Sequence, residues 1–266
     1  AGAGYLKVVR DMAYYQIMYN LAGGPVIRYL PNLSGYFLPK TLAEIFAAGQ
    51  QAKIPLLAGS NTDESGARGV LVQNDPTPEN FAAAVKKMYP THADAVLKAY
   101  AASTPEQVLQ AATDLASARF IGHGTWKWGE LHLQTGGKPV YRYMYARPRP
   151  AYTPPGQAPA APPAPRPGPS IPRGAAHSAE IQYAMGNLPI DPRYAWTPDD
   201  YKVSETIQGY FANFIKTGNP NGAGLPAWPA YTAPGYQRMR IDVTTAAEPE
   251  PERARYQALD AALANR

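Results

Sequence analysis

Ile54-Pro55-Leu56-Leu57-Ala58-Gly59-Ser60-Asn61-Thr62-Asp63-Glu64-Ser65-Gly66 begins as a short apolar run and ends with two acids among small residues. The run Ile54 to Ala58 fits a strand buried on both faces, as in a parallel sheet. Pro55 has no N–H to give to a ladder, so it is compatible with a strand only at its first residues. Asp63 and Glu64 then fall just past the strand's carboxyl end, where the loops of an α/β sheet converge and catalytic side chains collect. Residue type alone leaves the two acids tied.

Upstream, Thr41 can cap a short helix running to about Ala48, because its hydroxyl can accept from free N–H groups of the first turn. Residues 5–20 carry Tyr5, Val8, Met12, Tyr15 and Met18 at helical spacing, with Gly23, Gly24 and Pro25 as the stop. Downstream, Pro78 to Lys87 and His92 to Ala102 read as helices. Thr104-Pro105-Glu106 opens another, with Thr104 as N-cap and Pro105 at the first helical position. That helix runs to about Gln134, with a break expected at Gly122 or Gly124. Pro139 to Tyr145 is rich in β-branched and aromatic residues and predicts a second strand.

Residues 147–173 hold eleven prolines, a composition that excludes helix and interior strand and favours extended polyproline II or disorder. This segment reads as an insertion in the domain. It is either a surface excursion without a role or, since it leads directly to His177, a flank of the substrate's entry path. Residues 178–186 and 201–217 read as helices, the second ending at Gly218 with Lys216 in its last turn. Arg238 to Val243 is a short strand and Pro251 to Asn265 a final amphipathic helix. The order of strand, helices, strand, loop and helices, without repeats, predicts part of an α/β sheet with too few strands for a complete one.

The chain has 266 residues, of which 45% are hydrophobic and 17% charged, enough for a globular core. Its net charge of +5 is scattered rather than run together, so no nucleic-acid partner is expected. No apolar run is long enough to span a bilayer. Without cysteine there is no disulfide and no thiolate nucleophile, and the compartment stays open. The first residues, Ala1 to Tyr5, lack an initiator Met and the layout of a signal peptide, as expected of a processed product, a nicked piece or a trimmed chain.

Four histidines are available. His92 and His132 fall on predicted helices among polar residues and read as surface positions. His123 lies between glycines, where a local packing or hydrogen-bonding role is expected. No H-x-x-x-H or H-E-x-x-H spacing occurs, so a zinc site is not expected; no other metal and no cofactor is expected either. His177 differs from the rest. It sits in Gly174-Ala175-Ala176-His177-Ser178-Ala179-Glu180, where small neighbours leave room for a substrate and a partner group.

Both loops resemble one family, the type-B carboxylesterases and cholinesterases. The similarity runs from Pro25 through Gly35-Tyr36-Phe37-Leu38-Pro39 to Ile54–Gly66, with Ser34 where the family usually has Asp. It continues in order through Pro139–Tyr143, Gly174–Ile181, Tyr210–Phe214, Thr217–Gly222 and Leu225–Tyr231. The resemblance implies an α/β-hydrolase fold with a Ser, Glu, His triad in that chain order. It places Glu64 on the family's catalytic acid and His177 on its base, so it selects Glu64 over Asp63. The family's nucleophile stands in a G-x-S-x-G elbow upstream of the acid, and no such motif occurs in residues 1–266. Ser60 and Ser65, in the acid loop, cannot also occupy an elbow.

The expectation is therefore the C-terminal part of a single α/β-hydrolase domain, residues 1–266. It acts on a carboxylic ester only with the N-terminal part of the same protein, which carries the serine and the oxyanion loop. The chain alone is expected to be inactive. The alternative is a non-catalytic, esterase-like binding or adhesion module, but relatives of that kind generally lack one or more triad residues, and both Glu64 and His177 are present. Trp126, Trp128, Tyr141, Tyr143 and Tyr145 read as packing aromatics. The resemblance leans toward a secreted or periplasmic setting.

Overall fold

The computed structural model describes residue 33, residues 35–152 and residues 168–264. The helix expected over residues 5–20 and most of the proline-rich segment lie outside the described residues. The chain divides after Glu44, and the sheet with its flanking helices belongs to the unit Ile45–Arg266. At the division, Thr41 caps the short helix α1 (Leu42–Ala47): its Oγ1 accepts from the Glu44 N–H, and the Glu44 carboxylate accepts from the Thr41 N–H.

The sheet has the strand order β1 (Leu56–Asn61), β2 (Val140–Tyr145), β3 (Gln237–Ile241), β4 (Ala246–Pro249). The first three are parallel and β4 turns back antiparallel on β3. This mixed, mostly parallel sheet flanked by helices bears out the α/β reading. β1 begins later than Ile54, because the ladder needs the N–H that Pro55 lacks. Leu56 supplies the first one, to the Pro139 carbonyl at 2.9 Å, and Ile54 is left exposed. Ser60 is consequently a strand residue and not part of the loop that carries the acids.

Side chains alternate across β2. Tyr141, Tyr143 and Tyr145 face a cluster built with Tyr183, Val203, Ile207, Tyr210 and Trp228, while Val140 faces a second cluster with Leu56, Ala58 and Tyr231. The first face is covered by α7 (Ile181–Ala184) and α8 (Pro198–Thr217). Between β1 and β2 run α2 (Arg68–Leu71), α3 (Pro78–Met88), α4 (Ala93–Ala99), α5 (Pro105–Ser117) and α6 (His123–Thr135). All but α6 pack mainly into a third cluster, around Val85, Val96, Leu115 and Leu259, to which α6 adds Trp126 and which the C-terminal helix α9 (Arg253–Leu263) closes.

Three of the long helices start with the same device. Thr77-Pro78, Thr104-Pro105 and Thr197-Pro198 each place an extended Thr before a proline whose missing N–H costs nothing in the first turn. The third pair starts α8 three residues ahead of the expected Tyr201. At its other end Gly218 takes φ +76°, the left-handed conformation that stops the helix. The expected helix over 178–186 shrinks to α7 because Ser178 and Gly186 both have φ +64°. The break expected at Gly122 or Gly124 is a π-helical turn, Ala118–Gly122, that joins α5 to α6 without ending the helical path.

Candidate active site

The parallel register aligns Asn61 with Tyr145, so β1 and β2 end side by side and their loops leave together. The Thr62 N–H extends the ladder to the Tyr145 carbonyl at 3.1 Å. The chain after β2 returns as Gly174-Ala175-Ala176-His177 and pairs with the acid-bearing loop through a parallel bridge between Asp63 and Ala176.

That pairing brings Glu64 and His177 together from 113 positions apart in sequence. His177 Nδ1 lies 2.6 Å from Glu64 Oε2, and the other carboxylate oxygen accepts from the Asn61 N–H at 2.7 Å. A carboxylate only accepts, so this contact holds a proton on Nδ1 and turns the lone pair of Nε2 outward. The Glu64 side chain is 5% exposed and that of His177 50%, so the acid is buried behind a base that faces solvent. Nε2 has no hydrogen-bond partner among the described residues. The ring is braced by Phe120, edge-on with centroids 5.1 Å apart, which the π-helical turn carries to this position. Directly after the base, Ser178 holds a left-handed backbone, and its carbonyl accepts from the Arg149 guanidinium.

Asp63, tied with Glu64 in the residue-level reading, faces elsewhere. Its Oδ2 accepts from the Gly174 N–H at 2.7 Å. Burial pushes its pKa up, the Gly174 hydrogen bond pulls it down, and the nearby Asp114 adds to the rise. Asn61 was not singled out by sequence. Its Nδ2 donates to the Ala176 carbonyl at 2.8 Å and to Glu180 at 2.5 Å. Behind the acids lies a polar cavity of about 220 Å³ reached by Asp63, Glu64, Asp114, Ser117 and Arg255.

His92 lies just before α4 and is half-buried, and His123 rests against Asp260 at 3.3 Å, with its pKa lowered by burial. His132, expected at the surface, is buried. Its face of α6 lies against the approach to β1, where Nε2 meets the Ile54 carbonyl at 2.8 Å and Nδ1 lies 3.4 Å from Gln51. Ser60 is buried with its hydroxyl toward Met144 Sδ, and the Ser65 backbone is held by the Ser117 hydroxyl on both its N–H and its carbonyl. No serine hydroxyl is hydrogen-bonded to His177 among the described residues, and no group of three or more ligating side chains there could hold a metal ion. No helix among them is long and apolar enough to cross a membrane. Of the aromatics expected to pack, Trp126 and Tyr145 are buried, while Trp128 is partly exposed and meets Phe46 edge-on.

A family model described as the carboxylesterase family matches residues 7–259. Pyrethroid hydrolase Ces2e of Rattus norvegicus is 26% identical over 230 residues, covering 79% of this chain and 37% of that protein. Cocaine esterase of Homo sapiens is 26% identical over 231 residues, covering 79% and 38%. A shorter match, 39% identical over 70 residues, links 26% of the chain to 9% of acetylcholinesterase of Gallus gallus. The chain thus spans well under half the length of these curated relatives.

Proposed function

We propose that this chain, which belongs to the carboxylesterase family, is the acid- and base-bearing C-terminal part of a carboxylic-ester hydrolase with an α/β-hydrolase fold. The nucleophile is a serine in an N-terminal part of the same protein. The observation that carries the reading is the 2.6 Å contact of His177 Nδ1 with Glu64, which leaves Nε2 open on the exposed side.

In the reaction, the serine oxygen attacks the ester carbonyl carbon while its proton passes to His177 Nε2. Glu64 keeps the proton on Nδ1 beforehand and stabilises the imidazolium that forms. The tetrahedral intermediate collapses as the same proton moves from Nε2 to the leaving alcohol. Water, deprotonated by Nε2 in turn, adds to the acyl carbonyl, and as the acyl C–O bond breaks and the acid leaves, that proton returns from Nε2 to the serine oxygen. Backbone N–H groups of the N-terminal part hold the oxyanion, each worth about 2.7–4 kcal/mol. His177 can serve both proton transfers because Glu64 meets only one edge of its ring.

The test is to treat the complete protein with an organophosphate ester and map the phosphorylated residue by peptide mass spectrometry. The label is expected on one serine of a G-x-S-x-G sequence outside residues 1–266. A label confined to this chain, or an active protein that takes no label, would contradict the reading.

A further inference from the structure

The acid loop and the base loop are joined by more than the bond between Glu64 and His177. Three consecutive residues of one pin three consecutive residues of the other. Asp63 Oδ2 accepts from the Gly174 N–H at 2.7 Å, and Thr62 Oγ1 accepts from the Ala175 N–H at 2.7 Å. The Asp63 N–H donates to the Ala175 carbonyl at 2.9 Å, and Asn61 Nδ2 donates to the Ala176 carbonyl at 2.8 Å. The approach is close enough to require glycine at 174, since a Cβ there would collide with Thr62 Oγ1 and Asp63 Oδ1.

Asp63 is half-buried, and taking a carboxylate even partly out of water is costly unless it is paired or hydrogen-bonded. Asp63 has no ion-pair partner among the described residues, and its hydrogen bond is to a backbone N–H three positions before His177. The far side of the same loop is held by the reciprocal Ser65 and Ser117 hydrogen bonds beside the turn that carries Phe120. The acid loop therefore works as a fixed jig. Glu64 is set by the Asn61 N–H at the end of β1, and the base is set by the neighbours of Glu64.

We infer that Asp63, with Thr62, is a positioning residue for His177, gripping the Gly174–Ala175 backbone so that the imidazole stands at hydrogen-bonding distance from Glu64. This deepens the proposed ester hydrolysis and rests on it. Catalytic groups must be held within about 0.5 Å of productive geometry, and a misplacement of about 1 Å costs on the order of 100-fold. Gripping the backbone sets the ring's place without touching the ring, which leaves Nε2 free to move protons.

The test uses the complete protein and compares Asp63→Ala, Asp63→Asn and Thr62→Val with His177→Ala. Asp63→Ala is expected to lower kcat by about 100-fold with KM changed much less. Asp63→Asn, which keeps an oxygen able to accept from Gly174, restores most of that loss. Thr62→Val gives a smaller loss of the same kind. A second readout does not need turnover: the strongly downfield Nδ1–H proton resonance of His177 is expected in the wild type and in Asp63→Asn, and is weakened or lost in Asp63→Ala. Should Asp63→Ala fail to fold, Thr62→Val and Asp63→Asn carry the comparison.

Wild-type kcat and an unchanged resonance in Asp63→Ala, beside an inactive His177→Ala, would overturn the positioning role and leave the proposed function intact. So would an Asp63→Asn variant as impaired as Asp63→Ala. Full activity in His177→Ala would instead overturn both.

Discussion

Asp63 and Glu64 are adjacent acids of nearly the same chemistry, and the fold sets them against different groups. The chain turns and bends directly after β1, and the two side chains leave it toward different partners. One carboxylate reaches the His177 ring and the other reaches the backbone of the loop that carries it. No periodicity or composition distinguishes the two, because the distinction depends on a segment more than a hundred residues away. What removed the tie in sequence was the family resemblance, and the geometry adds a distinct partner for each acid. If Glu64 holds the imidazole in the right tautomer, Glu64→Gln in the complete protein should lower kcat by about 10⁴-fold, because the amide can present an N–H to Nδ1 and favour the wrong ring form. Steady-state kinetics on an aryl ester would check this. A loss below about tenfold would show that the acid has no such role.

At the level of elements, the reading from sequence succeeded where a local chemical reason was decisive. Thr104-Pro105 starts α5 and Gly218 ends α8 as expected, since caps and stops depend on a few neighbouring residues. It failed where the reason was distant. β4, with the sequence Ala246-Ala247-Glu248-Pro249, has no strand signature and exists because β3 offers it an edge. His132 reads as a surface residue because it falls among polar residues on its helix, yet a carbonyl just ahead of β1 gives its ring a buried partner.

The start of α8 carries a testable electrostatic feature. Asp200 is fully buried, and burial by itself would raise its pKa. Arg147 at 2.7 Å, the Thr197 hydroxyl and N–H, and the Tyr183 hydroxyl at 2.8 Å together hold it below the ordinary aspartate value. A carboxyl whose pKa is lower folded than unfolded binds fewer protons in the folded state. Its stabilisation is present above the unfolded-state pKa and is lost as the pH falls through the folded-state value. The thermal midpoint of the complete protein should therefore exceed that of Asp200→Asn near neutrality, and the gap should close as the pH drops through and below the ordinary carboxylate range. A gap that stays constant with pH would contradict this.

At the scale of the whole molecule, β1 is the last strand of the sheet on its side among the described residues, yet most of its residues are buried. An unpaired edge next to the candidate site is costly, and pairing with a further strand would remove it. This fits the proposal that an N-terminal part supplies the serine, the oxyanion donors and the rest of the sheet. The isolated 266-residue chain is expected to hydrolyse no ester and to show no cooperative thermal unfolding transition, while co-expression with the N-terminal part restores both. A cooperative transition from the lone purified chain would contradict that dependence. With His177 as the base, kcat for ester hydrolysis by the complete protein should fall by about 10⁴-fold or more in His177→Ala at unchanged thermal stability, and hydrolysis at the wild-type rate in that variant would contradict this role.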